Sequence, residues 1–284
     1  MEFQFLGPLT MRSGNSSIYL SGERSRRLLA GLVIDANRTV SIARLIDIVW
    51  GDNPPATARQ QIQNRLGRLR SLLTCDGSGQ QIVRHGDCYT LEVTEERVDG
   101  LRFRRLCAEA GIARQHGEMT RAATLLRQGL MLWRGNAMQD VHSTMLQADA
   151  AHWEESRLRA IEMLVEIEFE RGNSVGSVPE LQSWAALHPY HEGLHMRLAE
   201  ALHHACRTAE SLAVIRDLRS RLDGELGIPP GPAVHELERR IIADQRTASP
   251  RPPSIQMNRQ TAEALHRALT ETTKVLQLLG RALE

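Results

Sequence analysis

The chain has 284 residues, 42% of them hydrophobic, and its 35 basic and 34 acidic side chains leave a net charge of +1. That length holds two domains with cores of their own or one large one, and so even a balance gives no whole-molecule case for nucleic acid, so charge has to be read locally. No apolar run approaches the ~20 residues of a membrane span, MEFQFLG lacks the features of a signal peptide, and Cys75, Cys88, Cys107 and Cys206 form no CxxC pair, which argues against a structural disulfide or a cysteine zinc site.

In chain order, "FQFLG" and "SIYL" suit short strands, with Phe3, Phe5 and Leu9 inward and Gly14–Asn15 as a turn. A helix is predicted over 25–36, its stripe formed by Leu28, Leu29, Leu32 and Val33 and its end marked by Asn37. Arg24, Arg26 and Arg27 crowd its start, where the helix dipole disfavours cations unless an anion lies nearby. A second helix over 42–49 has Ser41 as its cap and Leu45, Ile46 and Val49 facing the core. Gly51, Asp52 and Asn53 open a loop ending in two prolines, and Thr57 is the candidate cap of a third helix.

That third helix, within PPATARQQIQNRLGRLRSLL (residues 54–73), has four arginines and no acid. Ala58, Ile62, Leu66, Leu69 and Leu73 give it a buried line, which turns Gln60, Gln63, Asn64 and Gly67 outward with Arg59 and Arg68 at the flanks. Asn and Gln can pair with adenine edges and Arg with guanine. Gln63, Asn64 and Arg68 are therefore the candidate base readers, and Arg59, Arg65 and Arg70 suit phosphates or surface pairs; a merely solvated polar face is the alternative. Gly67 either lets the helix backbone come closer to a groove or simply removes a contact. A hairpin then follows, from Ile82 and Tyr89–Val93, turning at His85–Gly86–Asp87 with Arg84 beside the turn as a further phosphate candidate. Small strands, three helices and a hairpin match the order of a winged helix-turn-helix, with the third helix in the major groove.

From Gly100 the pattern is helical, over roughly 101–115, 120–132, 144–171, 178–187, 191–205, 208–223 and 232–244, as stacked pairs with a tetratricopeptide-like alternation of small and large residues. TASPRPPS (247–254) marks a linker, and 259–283 a last helix that packs on the body or on a second subunit. His191 and His195, four apart, form no HExxH, and no Walker phosphate loop occurs, so neither a metal nor a cofactor nor catalysis is implied.

The whole chain resembles the Streptomyces antibiotic regulatory protein family. The N-terminal marks are FLGPLTMR, LAGLVIDANRTVSIARLIDIVWGDNPP and NRLGRLRSLL; the later ones are LRFRRLCAEAG, LMLWRG and the run from Tyr190 to Ile242. The resemblance implies a mixed α/β and all-α chain: an OmpR-like winged helix (1–97), a bacterial transcriptional activation domain with tetratricopeptide-like hairpins (98–246), a linker (247–258) and a C-terminal helix (259–284). It further implies a cytoplasmic activator, nucleoid-associated when bound, that sits as two or more copies on direct repeats of promoter DNA and recruits RNA polymerase holoenzyme. Gly51, Asp52 and Asn53 are then candidate polymerase contacts, unless the loop is only an interhelical turn. Arg24, Arg26, Arg27, Arg59, Arg65, Arg70 and Arg84 are candidate backbone contacts. Residues 1–97 alone are expected to keep specific DNA binding. Three departures stand out: Cys88 and Cys206 at positions usually glycine, and Gly67 where serine is common. The alternative is a helical scaffold whose winged fold binds protein.

Overall fold

A computed structural model describes residues 1–14, 16–75, 79 and 81–248. Most of the described chain is helical, with two small sheets confined to its first 92 residues. The predicted linker beyond Ala248 and the C-terminal helix lie outside the described residues.

Strands β1 (Glu2–Gln4), β2 (Thr10–Ser13) and β3 (Ser16–Ile18) form an antiparallel meander in which Phe3 faces Met11, both buried. Phe5 and Leu9 are buried as expected but lie outside the strands. Helix α1 (Glu23–Ile34) buries the leucine stripe. Asn37 ends it in the left-handed region at φ 64. Its side chain both donates to Val93 O at 2.9 Å and accepts from Val93 N–H at 3.0 Å, pinning this turn to the far end of the hairpin.

Helix α2 (Ile42–Trp50) has the predicted cap: Ser41 Oγ accepts from Arg44 N–H at 3.1 Å, a type of bond worth about 1 kcal/mol. Its core residues are Ile42, Leu45, Ile48 and Val49; Ile46, expected inside, is only half-buried. Helix α3 (Ala58–Cys75) buries the predicted line from Ala58 to Leu73. Strands β5 (Gln81–His85) and β6 (Cys88–Glu92) form the hairpin. The two-residue strand β4 (Val40–Ser41) pairs with β6, giving the order β4-β6-β5. Two residues are too few to show a period of two, so nothing in the sequence marked them.

The helical region comprises α4 (Asp99–Gln115), α5 (Met119–Leu130), α6 (Thr144–Glu170), α7 (Val178–Leu187), α8 (Glu192–His204) and α9 (Thr208–Arg221). Neighbours in sequence pack as pairs: α4 with α5, α5 with α6, α7 with α8 and α8 with α9. The 27-residue α6 carries two apolar faces: Leu164 and Ile167 join the core shared with the N-terminal elements, while Ile161 and Val165 join Leu181, Leu194 and Leu198 in a second cluster. The fully buried Glu168 is held by Arg127 at 3.2 Å, Arg171 at 2.7 Å and the Asn173 amide. Burial alone would raise its pKa, but these donors outweigh burial and hold it below the ordinary value.

The N-terminal elements and α4–α6 share one continuous core. Phe5 meets Trp153 edge to face at 5.0 Å, and Asp99, at the start of α4, accepts backbone N–H bonds from Phe5 and Leu6, each at 3.0 Å. Arg134 N–H and Met138 N–H return bonds of 2.8 Å to the carbonyls of Leu6 and Phe5. Gly100 permits this approach, since a β-carbon there would lie 2.2 Å from Phe5 Cζ. Polar bonds extend the seam: Arg26 pairs with Asp140, Arg44 with Asp149 at 2.9 Å, and Ser143 Oγ donates to Ile48 O at 2.9 Å. Helix α10 (Pro232–Ala248) falls in a separate unit, with Val234, Leu237 and Ile241 buried at helical spacing along one line.

Candidate nucleic-acid interface

Helix α3 lies between α1 and the hairpin, and its arginines divide by what they hold. Arg65 Nη1 donates to Ser25 Oγ of α1 at 3.0 Å. Arg70 Nε donates to Ile82 O at 2.8 Å, with its guanidinium 5.7 Å from the centre of the Tyr89 ring. Arg59 forms an ion pair with Asp87 in the hairpin turn. Both members of that pair are more than half exposed, so it contributes at most about 1 kcal/mol, and Arg59 can leave it at little cost.

Asn64 and Arg68 are exposed, whereas Gln63 is half-buried on the flank. The outermost line of α3 runs Gln60, Asn64, Gly67, Ser71. Ser71, absent from the sequence-based candidates, reaches back to Gly67 O at 3.2 Å. A β-carbon on Gly67 would meet nothing within 4 Å, so packing does not require the glycine.

Arg24, near the start of α1, stacks over Trp50 at 5.8 Å. Burial, then repulsion from Arg24 and from Arg68, lowers the pKa of Arg65. No carboxylate among the described residues lies within ion-pair distance of Arg24, Arg65 or Arg68. Three like charges thus converge across α1 and α3, which stabilises an anion laid over them. Beside the hairpin turn, Arg84 is exposed, and its side chain donates to Gly86 O at 2.8 Å. Gly51, Asp52 and Asn53 are all exposed, with Gly51 at φ 62.

Two of the arginines at the start of α1 face inward instead. Arg26 is committed to Asp140 of the helical region, and Arg27 bonds Val49 O at 3.0 Å and pairs with Glu23. The helix dipole at that end is therefore met by Glu23 as well as opposed by the arginines.

Bacterial transcriptional activator domain is the family that matches residues 98–242. The regulatory protein DnrI of Streptomyces peucetius is 33% identical over 251 residues, which cover 85% of this chain and 92% of DnrI. The transcriptional regulator RedD of Streptomyces coelicolor is 35% identical over 248 residues, 86% of this chain and 71% of RedD. The chain belongs to the Streptomyces antibiotic regulatory protein family. Among solved structures, Mycobacterium tuberculosis EmbR, in complex with a low affinity phosphopeptide, superposes with a TM-score of 0.77 at 26% identity, covering 97% of this chain and 70% of EmbR.

The three departures from the pattern of the Streptomyces antibiotic regulatory proteins have different physical weight. Cys88 sits in β6 opposite Ser41 and His85 with ordinary strand backbone. Cys206 occupies the left-handed region at φ 59, where a side chain is strained. Gly67 lies open on α3. The histidines set aside as metal ligands have local partners: His191 Nδ1 accepts from Leu194 N–H at 3.2 Å, and His195 Nδ1 lies 3.1 Å from His191 O. Among the described residues no three His, Cys, Asp or Glu converge on a metal position, and no helix is long and apolar enough to cross a membrane.

Proposed function

We propose that this protein is a sequence-specific DNA-binding transcriptional activator of a secondary-metabolite gene cluster. The reading rests on one observation above all: the Arg24–Arg65–Arg68 cluster, unmatched by acid among the described residues, where α1 meets the acid-free helix α3. Residues 1–97 act as an OmpR-like winged helix-turn-helix in which α3 enters the major groove and the β5–β6 turn is the wing. Residues 98–246 act as the tetratricopeptide-like activation domain, followed by the linker at 247–258 and the C-terminal helix at 259–284. Asn64 and Arg68 read base edges with Gln63 at the side; Arg24, Arg59 and Arg84 serve phosphates. Arg65 and Arg70 mainly fix α3, and Arg26 and Arg27 mainly fix the seam. The loop at Gly51, Asp52 and Asn53 meets RNA polymerase holoenzyme. The protein works in the cytoplasm, associated with the nucleoid when bound.

The decisive experiment locates the bound genomic fragments and measures purified protein on them against scrambled duplex over a salt series, since basic faces bind any duplex weakly. Equal affinity for scrambled DNA ends the sequence-specific reading. Two or more copies are expected on direct half-sites. Inserting five base pairs between half-sites rotates one copy by about half a turn of the ~10–10.5 base-pair helix. Cooperativity, measured by sedimentation on one-site and two-site DNA, falls sharply; unchanged cooperativity rejects the head-to-tail arrangement.

A further inference from the structure

Where the turn after α1 meets α4 and α6, a cavity of about 160 Å³ opens between the two halves of the chain. Its lining includes Asp35, Arg38, Arg104, Asp149, His152 and Trp153. The two aspartates are already engaged by one cation: Arg44 Nη2 lies 2.9 Å from Asp149 Oδ2, and Arg44 Nε lies 3.4 Å from Asp35 Oδ2. Arg38 and Arg104 are left, among the described residues, with no carboxylate at ion-pair distance. Arg104 stacks on Trp153 with its guanidinium 4.8 Å from the ring centre. Burial and then Arg38 lower the pKa of Arg104, and the attraction of Asp35 and Glu95, both beyond ion-pair distance, does not make up the difference.

The backbone at Arg38 and the side chain of Arg104 are positioned before any ligand arrives. Arg38 follows Asn37, whose side chain is tied twice to Val93, and its own N–H bonds Asp35 O at 2.9 Å. Arg104 leans on a tryptophan that also meets the Phe5 ring in the shared core. One guanidinium held against an indole ring and a second carried on a tied backbone turn beside a small cavity form a receptor for a compact oxyanion, bound through charge-assisted and bidentate hydrogen bonds. A cavity of roughly 150 Å³ admits a benzene-sized molecule, which sets the scale of the ligand. The position separates this pair from the wing. Arg38 stands beside Leu91–Val93, four to six residues along β6 from the turn at Asp87, about 13–20 Å at strand rise.

We propose that Arg38 and Arg104 form a binding site for a small carboxylate or phosphate anion that bridges the winged half and the helical half. The ligand neutralises the repulsion between the two arginines and ties the α1 turn to α4, so its binding stabilises the seam by linkage.

The test titrates the full-length protein with inorganic phosphate and, separately, with benzoate, against chloride at matched ionic strength, following thermal unfolding and heat of binding. A saturable rise in melting temperature with one of the two anions is expected, and the anion that produces it identifies the class. Arg38→Gln, on an exposed turn that keeps its backbone bonds, weakens that binding at least tenfold, while Arg68→Ala leaves it unchanged. The proposal is overturned if neither anion exceeds chloride or if Arg38→Gln binds as tightly as wild type. It is also overturned if Arg38→Gln loses duplex affinity without losing anion affinity, which would make the pair a DNA-backbone contact.

Discussion

Cys206 shows what one backbone angle costs. It is exposed and sits in the α8–α9 turn at φ 59, where its N–H bonds His203 O at 2.9 Å. A β-carbon in the left-handed region costs about 1–2 kcal/mol, and an exposed thiol has little packing to lose. Cys206→Gly is therefore expected to raise stability to urea by about 1 kcal/mol without changing DNA affinity; an unchanged midpoint removes the strain argument. The position was legible in the sequence because the family resemblance places glycine there. Asn37 was legible as a stop, since asparagine tolerates this conformation better than most residues. Gly100 was not legible: nothing near it in sequence indicates that the Phe5 ring, 95 positions earlier, will lie against its backbone.

At the scale of elements, the helices came from their apolar spacing with ends shifted by a few residues, because burying such a stripe is the main stabilisation of each. The strand β4 and the ties around α3 did not. Arg59, Arg65 and Arg70 differ in what they hold, and their identical chemistry gave no means of sorting them before their neighbours were known. This sorting makes α3 testable by substitution. Arg68, free of internal partners among the described residues, is expected to carry sequence preference. Arg68→Ala should cost about 1–3 kcal/mol of binding and relax one base position. Arg84→Ala should weaken related sites by similar factors and reduce the salt slope by about 1. Competition assays on matched half-site variants distinguish the two, and an Arg68→Ala protein with wild-type preference rejects its role as a reader.

For the whole molecule, the shared core revises the expectation that residues 1–97 stand alone. A fragment ending there lacks Asp99, Trp153 and Asp140, and so leaves the Phe5 and Leu6 N–H groups and the Phe5 ring without their partners. Removing α4–α6 exposes the Phe5 ring and the rest of the shared core to water, which costs about 1.5–3 kcal/mol for each large apolar side chain left uncovered. The 1–97 fragment is expected to lose cooperative unfolding by circular dichroism, whereas 1–231 keeps it; a cooperatively folded 1–97 overturns this. The seam also has a pH signature. Burial, against the pull of the Phe5, Leu6 and Gly100 N–H groups and Arg134, raises Asp99 to about 6 from 3.8. A raised folded-state pKa contributes stability below 3.8 that is lost as pH rises through 6. Going from pH 7.5 to 5, wild type should gain about 1.4 kcal/mol relative to Asp99→Asn in urea unfolding, and parallel profiles would refute it. The seam has one more consequence, for how such regulators exchange specificity. A recombination joint at residue 97 separates Phe5 and Leu6 from Asp99, Gly100 and Trp153, so a chimera cut there draws the two sides of this contact from different parents and keeps it only where they match. The outward residues of α3 touch none of these groups. Grafting Gln60, Gln63, Asn64, Gly67, Arg68 and Ser71 from a relative is thus the smaller exchange, one expected to move operator choice between regulators while leaving the junction intact.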